Sequence, residues 1–229
     1  MMKFGKKYKA VRELVEKNKI YALEEACELV KKTSPVKFDA TVDASFNLNV
    51  NPRMADQQIR GTINLPHGNG KTKKILAITN TKLEEAKEAG ADFVGGVDML
   101  EKIKNENWFG FDVIVATPEM MAELGKMGRL LGPRGLMPNP KTGTVAVDIG
   151  RAIEEIKRGK VEYRVDKDGN IHVSIARVSF ETEKIVDNLR ALCETIIKVR
   201  PASVKGTYVK NAVIHTTMGP SIKIAMPGR

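Results

Sequence analysis

Three histidines, His67, His172 and His215, are the first residues to question for chemistry, because imidazole serves both metal binding and proton transfer. They share no metal-ligand spacing, and neither H-E-x-x-H nor G-x-S-x-G occurs around them. Cys27 and Cys193 are the chain's two cysteines; neither belongs to a C-x-x-C pair, so zinc ribbon, haem attachment and disulfide scaffold all lack ligands. Both lie among helix-patterned apolar neighbours and read as core packing. The run Gly68-Asn69-Gly70-Lys71-Thr72 imitates the end of a phosphate-binding loop, but Leu65 stands where that pattern needs glycine, and a strand-like segment follows where it needs a helix. A basic linker is the better reading. Acidic pairs such as Glu84-Glu85 and Glu154-Glu155 fall on helical segments as solvated faces. No catalytic constellation, cofactor site or metal site is expected, and a nucleotide-dependent enzyme is kept only as the rival reading.

The segment Gly125 to Gly143 differs. It holds five Gly, three Pro and four cations, Lys126, Arg129, Arg134 and Lys141, with no acid between Glu123 and Asp148. Glycine and proline at that density fix a loop path, and cations without counter-charges favour an anion. The residue types alone leave an ordinary surface loop equally open.

The elements that must carry these residues follow from periodicity. Leu23, Ala26, Cys27 and Val30 recur at helical spacing within Tyr21 to Lys32, ahead of Ser34-Pro35. From Phe38 to Val50, apolar and polar residues alternate without a break, the pattern of a strand with one wet face. A short polar helix-like piece and a strand over Gly61 to Leu65 precede the Gly-rich run from His67. From Lys74 the rhythm changes to nearly continuous apolar runs, Ile75 to Thr79, Phe93-Val94 and Phe111 to Ala116. Helical stretches over 81–89, 97–105, 119–131 and 149–158 separate and follow them, which predicts a small parallel sheet covered on both sides. Alternation returns at Val161, Tyr163 and Val165 and at Ile171, Val173 and Ile175 around Asp168-Gly169, the signal of a hairpin. A helix over 182–199 and strands over 207–216 and 221–225 complete the chain.

Antiparallel patterning thus brackets a parallel middle. The expected architecture is an α+β domain built from both chain ends, residues 1–67 and 160–229, interrupted by an α/β Rossmann-like three-layer domain over 68–159. Charge divides the same way. Of the formal +10 carried by 229 residues, 1–67 contribute 12 basic and 8 acidic residues, 68–159 contribute 14 and 13, and 160–229 contribute 12 and 7. Net positive charge concentrated on the two ends suits a domain that grips phosphates. No run approaches the roughly 18 apolar residues of a membrane span, and no secretory pattern opens the chain, so a cytosolic location without membrane contact is expected.

Residues 128–145, G-R-L-L-G-P-R-G-L-M-P-N-P-K-T-G-T-V, resemble the signature of the bacterial large-subunit ribosomal protein one family, proteins of the mobile stalk beside the tRNA exit site. Other pieces agree in order: Lys37-Phe38-Asp39 with Thr41, Leu65-Pro66-His67-Gly68, Ala89-Gly90-Ala91-Asp92, Gly169-Asn170-Ile171-His172 and Thr216-Thr217-Met218-Gly219-Pro220. The resemblance covers nearly the whole chain. It implies an RNA surface on the terminal domain formed by Lys37, Phe38, Thr41, His172, Ser174, Arg177, Thr216, Thr217, Met218 and Gly219, with Lys126, Arg129, Arg134 and Lys141 as a secondary basic loop.

The implied chemistry is reasonable. Thr216 and Thr217 offer hydroxyls to phosphate or 2′-OH groups, Gly219 permits close backbone approach, and Met218 is an apolar contact for an RNA groove. Phe38 reads equally as a ribose or base contact and as a core residue of the alternation. Ala176-Arg177 departs from the family's usual Gly-Lys pair, which keeps the charge but changes its geometry. The resemblance further implies a non-enzymatic protein, monomeric when free, with three RNA partners: large-subunit ribosomal RNA, tRNA in the exit site, whose release it assists, and the messenger RNA of its own operon, whose translation it represses. A general basic chaperone of nucleic acid is a third reading, and it predicts equal affinity for unrelated structured RNAs.

Overall fold

A computed structural model describes residues 5–226. Met1 to Phe4, the start of the opening in which no secretory pattern was found, lie outside the described residues. The elements in chain order are α1 (Lys6–Glu13), α2 (Leu23–Lys32), β1 (Thr41–Leu48), β2 (Arg60–Asn64), β3 (Ile75–Ile78), α3 (Leu83–Glu88), β4 (Phe93–Gly95), α4 (Val97–Glu106) and β5 (Val113–Ala116). There follow α5 (Met121–Lys126), α6 (Gly128–Leu131), α7 (Ile149–Lys157), β6 (Lys160–Arg164), β7 (Asn170–Arg177), α8 (Thr182–Lys198), β8 (Val209–Thr216) and β9 (Ile222–Lys223). They form a mixed α/β structure with several sheets and two compact units, one from 1–70 with 161–229 and one from 71–160.

The terminal unit is organised by β1. Its alternation drives Val42, Ala44, Phe46 and Leu48 inward, each at most 1% exposed, and leaves Thr41, Asp43, Ser45 and Asn47 on the other face. It is central in a sheet of order β7-β1-β8-β9, antiparallel to both β7 and β8. Helices α2 and α8 pack together over the inner face, where Val30, Leu189, Leu192 and Ile196 are fully buried. Burying side chains of this size stabilises the unit by about 1.5–3 kcal/mol apiece.

In the inserted unit β4-β3-β5 form a parallel sheet. Leu76, Ile78, Ile114 and Ala116 enter one apolar cluster with Leu100, Ile103 and Leu124, while Ile75, Ala77 and Val115 enter another with Ala86, Ile149 and Ile153. Burial on both faces explains why these strands read as continuous rather than alternating apolar runs.

Three expectations about elements need correction. Val161 to Val165 and Ile171 to Ile175 are not hairpin partners: β6 pairs with β2 and β7 with β1, joined to each other by one bridge, Val165 to Ile171. The strand expected from Phe38 begins at Thr41, and Phe38 is 60% exposed rather than a core residue. The helix expected over 119–131 is broken at Met127 into α5 and α6, where Gly125 and Gly128 weaken the helix on both sides.

Candidate nucleic-acid interface

The uncovered face of the β7-β1-β8-β9 sheet is the candidate surface. Cross-strand register places its outward residues in rows. Thr41 lies opposite Arg177, Asp43 between Ser174 and His215, Ser45 between His172 and Val213, and Asn47 between Asn170 and Asn211. The face is polar because these are the alternate positions that the core does not claim.

At one end of the sheet the structure brings together Thr41, Arg177 and Thr217. The Thr217 backbone N–H donates to the Thr41 carbonyl at 3.1 Å, and an Arg177 Nη1 proton goes to the Asp39 carbonyl at 3.0 Å. Asp39 in turn accepts from the Ser179 amide and hydroxyl, both at 3.0 Å, which fastens the segment carrying exposed Lys37 and Phe38 to the β7 end. Asp39 was not among the expected site residues, although it stands in the Lys37-Phe38-Asp39 motif that carries the resemblance.

Met218 is the most conspicuous residue here. It is 73% exposed and holds φ +64°, left-handed backbone that a long side chain rarely adopts. The turn bearing it closes through the Gly219 N–H to the Thr216 carbonyl at 2.9 Å. Gly219 has no room for a side chain: a Cβ there would stand 2.3 Å from the Thr216 hydroxyl and 3.3 Å from the Thr33 carbonyl. Its glycine is therefore explained by packing inside the turn, whatever approaches from outside.

Two of the expected contact residues have covered hydroxyls. Thr216 continues the inward parity of Ala212 and Ile214, is 1% exposed and has its hydroxyl buried without a hydrogen-bond partner, so it presents nothing to a ligand on the surface. The Ser174 hydroxyl is likewise covered and without a partner, although the residue itself is half-buried on the outer face.

Further along the sheet His172 is exposed, and its Nδ1 lies 2.9 Å from the Ser45 hydroxyl, which is also 3.3 Å from His215 Nε2. A hydroxyl has one proton, so with both rings neutral it donates to one ring and accepts from the other, which links their tautomers. Ser45 and His215 were not among the expected site residues; outward strand parity was the signal available for them. Asp166 shapes the adjacent turn. Burial pushes its carboxyl up, but hydrogen bonds from Asn170 and from the Asp168 amide, with His172 nearby, outweigh this and hold it below the usual range.

The basic loop lies in the inserted unit. Lys126, Arg129, Arg134 and Lys141 are all exposed there. The Arg134 guanidinium stacks 3.6 Å from the Phe109 ring centre, and Lys126 pairs with Glu123 at 2.7 Å, so Lys126 has a counter-charge that lies just outside the acid-free run. Asn139 accepts from the Lys141 amide at 2.8 Å, and Thr142 donates back to the Asn139 carbonyl, giving the Pro-rich loop a fixed path. At Gly68 to Thr72 no helix follows; the chain goes directly to β3. Among the described residues no group of three or more His, Cys, Asp or Glu is placed to hold a metal ion, and no helix is long and apolar enough to cross a membrane.

Comparison with known proteins gives a consistent result. Residues 30–220 match the model of the Ribosomal protein L1p/L10e family. The large ribosomal subunit protein uL1 of Mycoplasma capricolum is 57% identical over 224 residues, 98% of this chain and 99% of that protein. The protein of the same name from Mesoplasma florum is 58% identical over the same shares of each.

Proposed function

The chain belongs to the Ribosomal protein L1p/L10e family, a family of non-enzymatic structural proteins, and from that premise we propose that it is a component of the large subunit of the cytoplasmic ribosome that holds the RNA of the mobile stalk. The ends of the chain supply the RNA-binding α+β domain, and the Rossmann-like insert is a second domain within it. RNA approaches the end of the sheet where Thr41, Arg177, Thr217, Met218, Lys37 and Phe38 converge, with His172 flanking. The observation that carries this reading is Met218: a long apolar side chain stands in solvent on left-handed backbone, strain of the kind that clusters at binding sites.

An A-form stem offers a wide shallow minor groove lined with 2′-hydroxyls, and this end of the sheet offers matching groups: a hydroxyl at Thr217, a cation at Arg177, and apolar surface at Phe38 and Met218. The same face serves ribosomal RNA and, in translational repression of its operon, a messenger RNA that presents the same shape. The exposed cations of the 125–143 loop suit exit-site tRNA, consistent with a part in releasing deacylated tRNA.

Met218→Asp tests the site. It places a carboxylate against phosphates and is expected to weaken binding of a stalk RNA fragment by about 1–3 kcal/mol in a filter-binding titration, with the melting temperature level or slightly raised, because aspartate tolerates left-handed backbone better than methionine. The messenger target should lose affinity in parallel. Undiminished affinity in the folded variant would remove the Thr217 to Gly219 turn from the interface.

A further inference from the structure

Asn188 lies in the middle of α8 and is fully buried, although asparagine is a poor helix residue and a buried amide is costly unless satisfied. Its bonds reach two other segments. Nδ2 donates to the Gly68 carbonyl at 2.8 Å and to the Ile175 carbonyl at 2.9 Å, while Oδ1 accepts from the His67 backbone N–H at 3.1 Å. The neighbouring Asp187 carboxylate lies 3.2 Å from the His67 ring. Helix, strand and the His67 to Gly70 segment are therefore knotted at one side chain.

Both partners of that knot bear on Arg177. Ile175 falls at the register shift of β7, where Val42 pairs with Ala176 but Asp43 pairs with Ser174, so Ile175 is the extra residue of a bulge. That extra residue buries Ile175 and Ala176 in succession and leaves Arg177 on the same face as Thr41, its cross-strand partner. The His67 to Gly70 segment also reaches Arg177. Gly70, at φ +70°, lies against the Arg177 stem so closely that a Cβ would stand 2.9 Å from Arg177 Cγ and 3.0 Å from the Phe180 ring.

We propose that the His67 to Gly70 segment is a working part of the RNA face, and that Asn188 is the positioning residue that locks it and the β7 bulge together so that Arg177 is presented to an RNA phosphate. This rests on the RNA-face reading above. A linker would not need a buried amide to hold it; a support for a cation would.

The test is a double-mutant cycle in the full-length protein with a stalk RNA fragment at fixed salt. Arg177→Ala and Asn188→Ser are each expected to weaken binding on the order of fivefold to tenfold. Combined, they should be no weaker than Arg177→Ala alone, because Asn188 acts through the arginine, whereas Asn188→Ser combined with Met218→Asp should multiply. An Asn188→Ser protein with unchanged affinity, or one whose loss multiplies with that of Arg177→Ala, would overturn the proposal; so would Arg177→Ala binding normally while Met218→Asp does not. If both Arg177→Ala and Met218→Asp bind normally, the RNA-face reading itself is wrong. Should Asn188→Ser not fold, amide exchange in the unmodified protein decides: saturating RNA should slow exchange of the His67 N–H, and an unchanged rate would overturn the proposal.

Discussion

A left-handed backbone costs an L-residue other than glycine, asparagine or aspartate roughly 1–2 kcal/mol, and Met218 accepts that cost while keeping its side chain in solvent. Met218→Gly separates the two halves of the arrangement. Glycine relaxes the strain but gives back part of the gain as unfolded-chain entropy, so stability should stay level or rise by up to about 1 kcal/mol. RNA affinity should fall by about 1–3 kcal/mol. Paired denaturation and binding curves check it, and a variant that is less stable yet binds normally would show that Met218 has a packing role. At this scale the sequence was informative wherever parity held. Thr216 follows Ala212 and Ile214 inward, so its burial was open to reading, although the motif led to the opposite expectation. Phe38 shares the parity of Val42 yet is exposed, because the ladder to β7 and β8 starts only at Thr41 and parity has no meaning before it.

Helices α2 and α8 meet over the sheet, and each contributes a thiol to the contact. Burial, with Cys193 and Glu24 nearby, pushes Cys27 from the ordinary 9.0 up to about 12; burial and Glu194 push Cys193 to about 12. The folded state thus holds both protons after the unfolded chain has lost them. The stabilisation is complete below about pH 9 and is lost as pH rises toward about 12. The urea midpoint should therefore drop between pH 7.5 and 10.5, and drop less in Cys27→Ala/Cys193→Ala. Equal drops in both proteins would show that the two thiols contribute nothing to alkaline lability. The helices were legible in the sequence because their periodicity is local. The β6–β7 pairing was not. Asp166 to Asn170 does form the turn that Asp168-Gly169 signalled, with Gly169 at φ +81° and the Asp166 N–H bonded to the Asn170 carbonyl. Which strand lies beside β6, however, is decided by burying Ile59, Ile63, Val161 and Tyr163 in the common core, a choice that turn residues do not encode.

Charge is a property of the whole molecule, and its distribution supports a division of labour. The unit built from the chain ends carries 23 basic and 15 acidic residues, the insert 15 and 13. Each unit also has apolar clusters of its own. If the terminal unit holds the primary site, replacing residues 71–160 with a short linker should preserve stalk RNA affinity to within roughly twofold, the usual error of additivity between independent sites. The salt dependence should be preserved with it. Each cation that displaces a condensed counterion contributes about −0.7 to −0.9 to the slope of log affinity against log salt, so an unchanged slope means that no phosphate contact left with the insert. A slope shallower by about 2 to 2.7, with weaker binding, would instead place Arg129, Arg134 and Lys141 on the stalk RNA rather than on tRNA. Titrations of both proteins across 50–300 mM salt distinguish these outcomes, and a tenfold or greater loss at every salt concentration would move the primary site off the β7-β1-β8-β9 face.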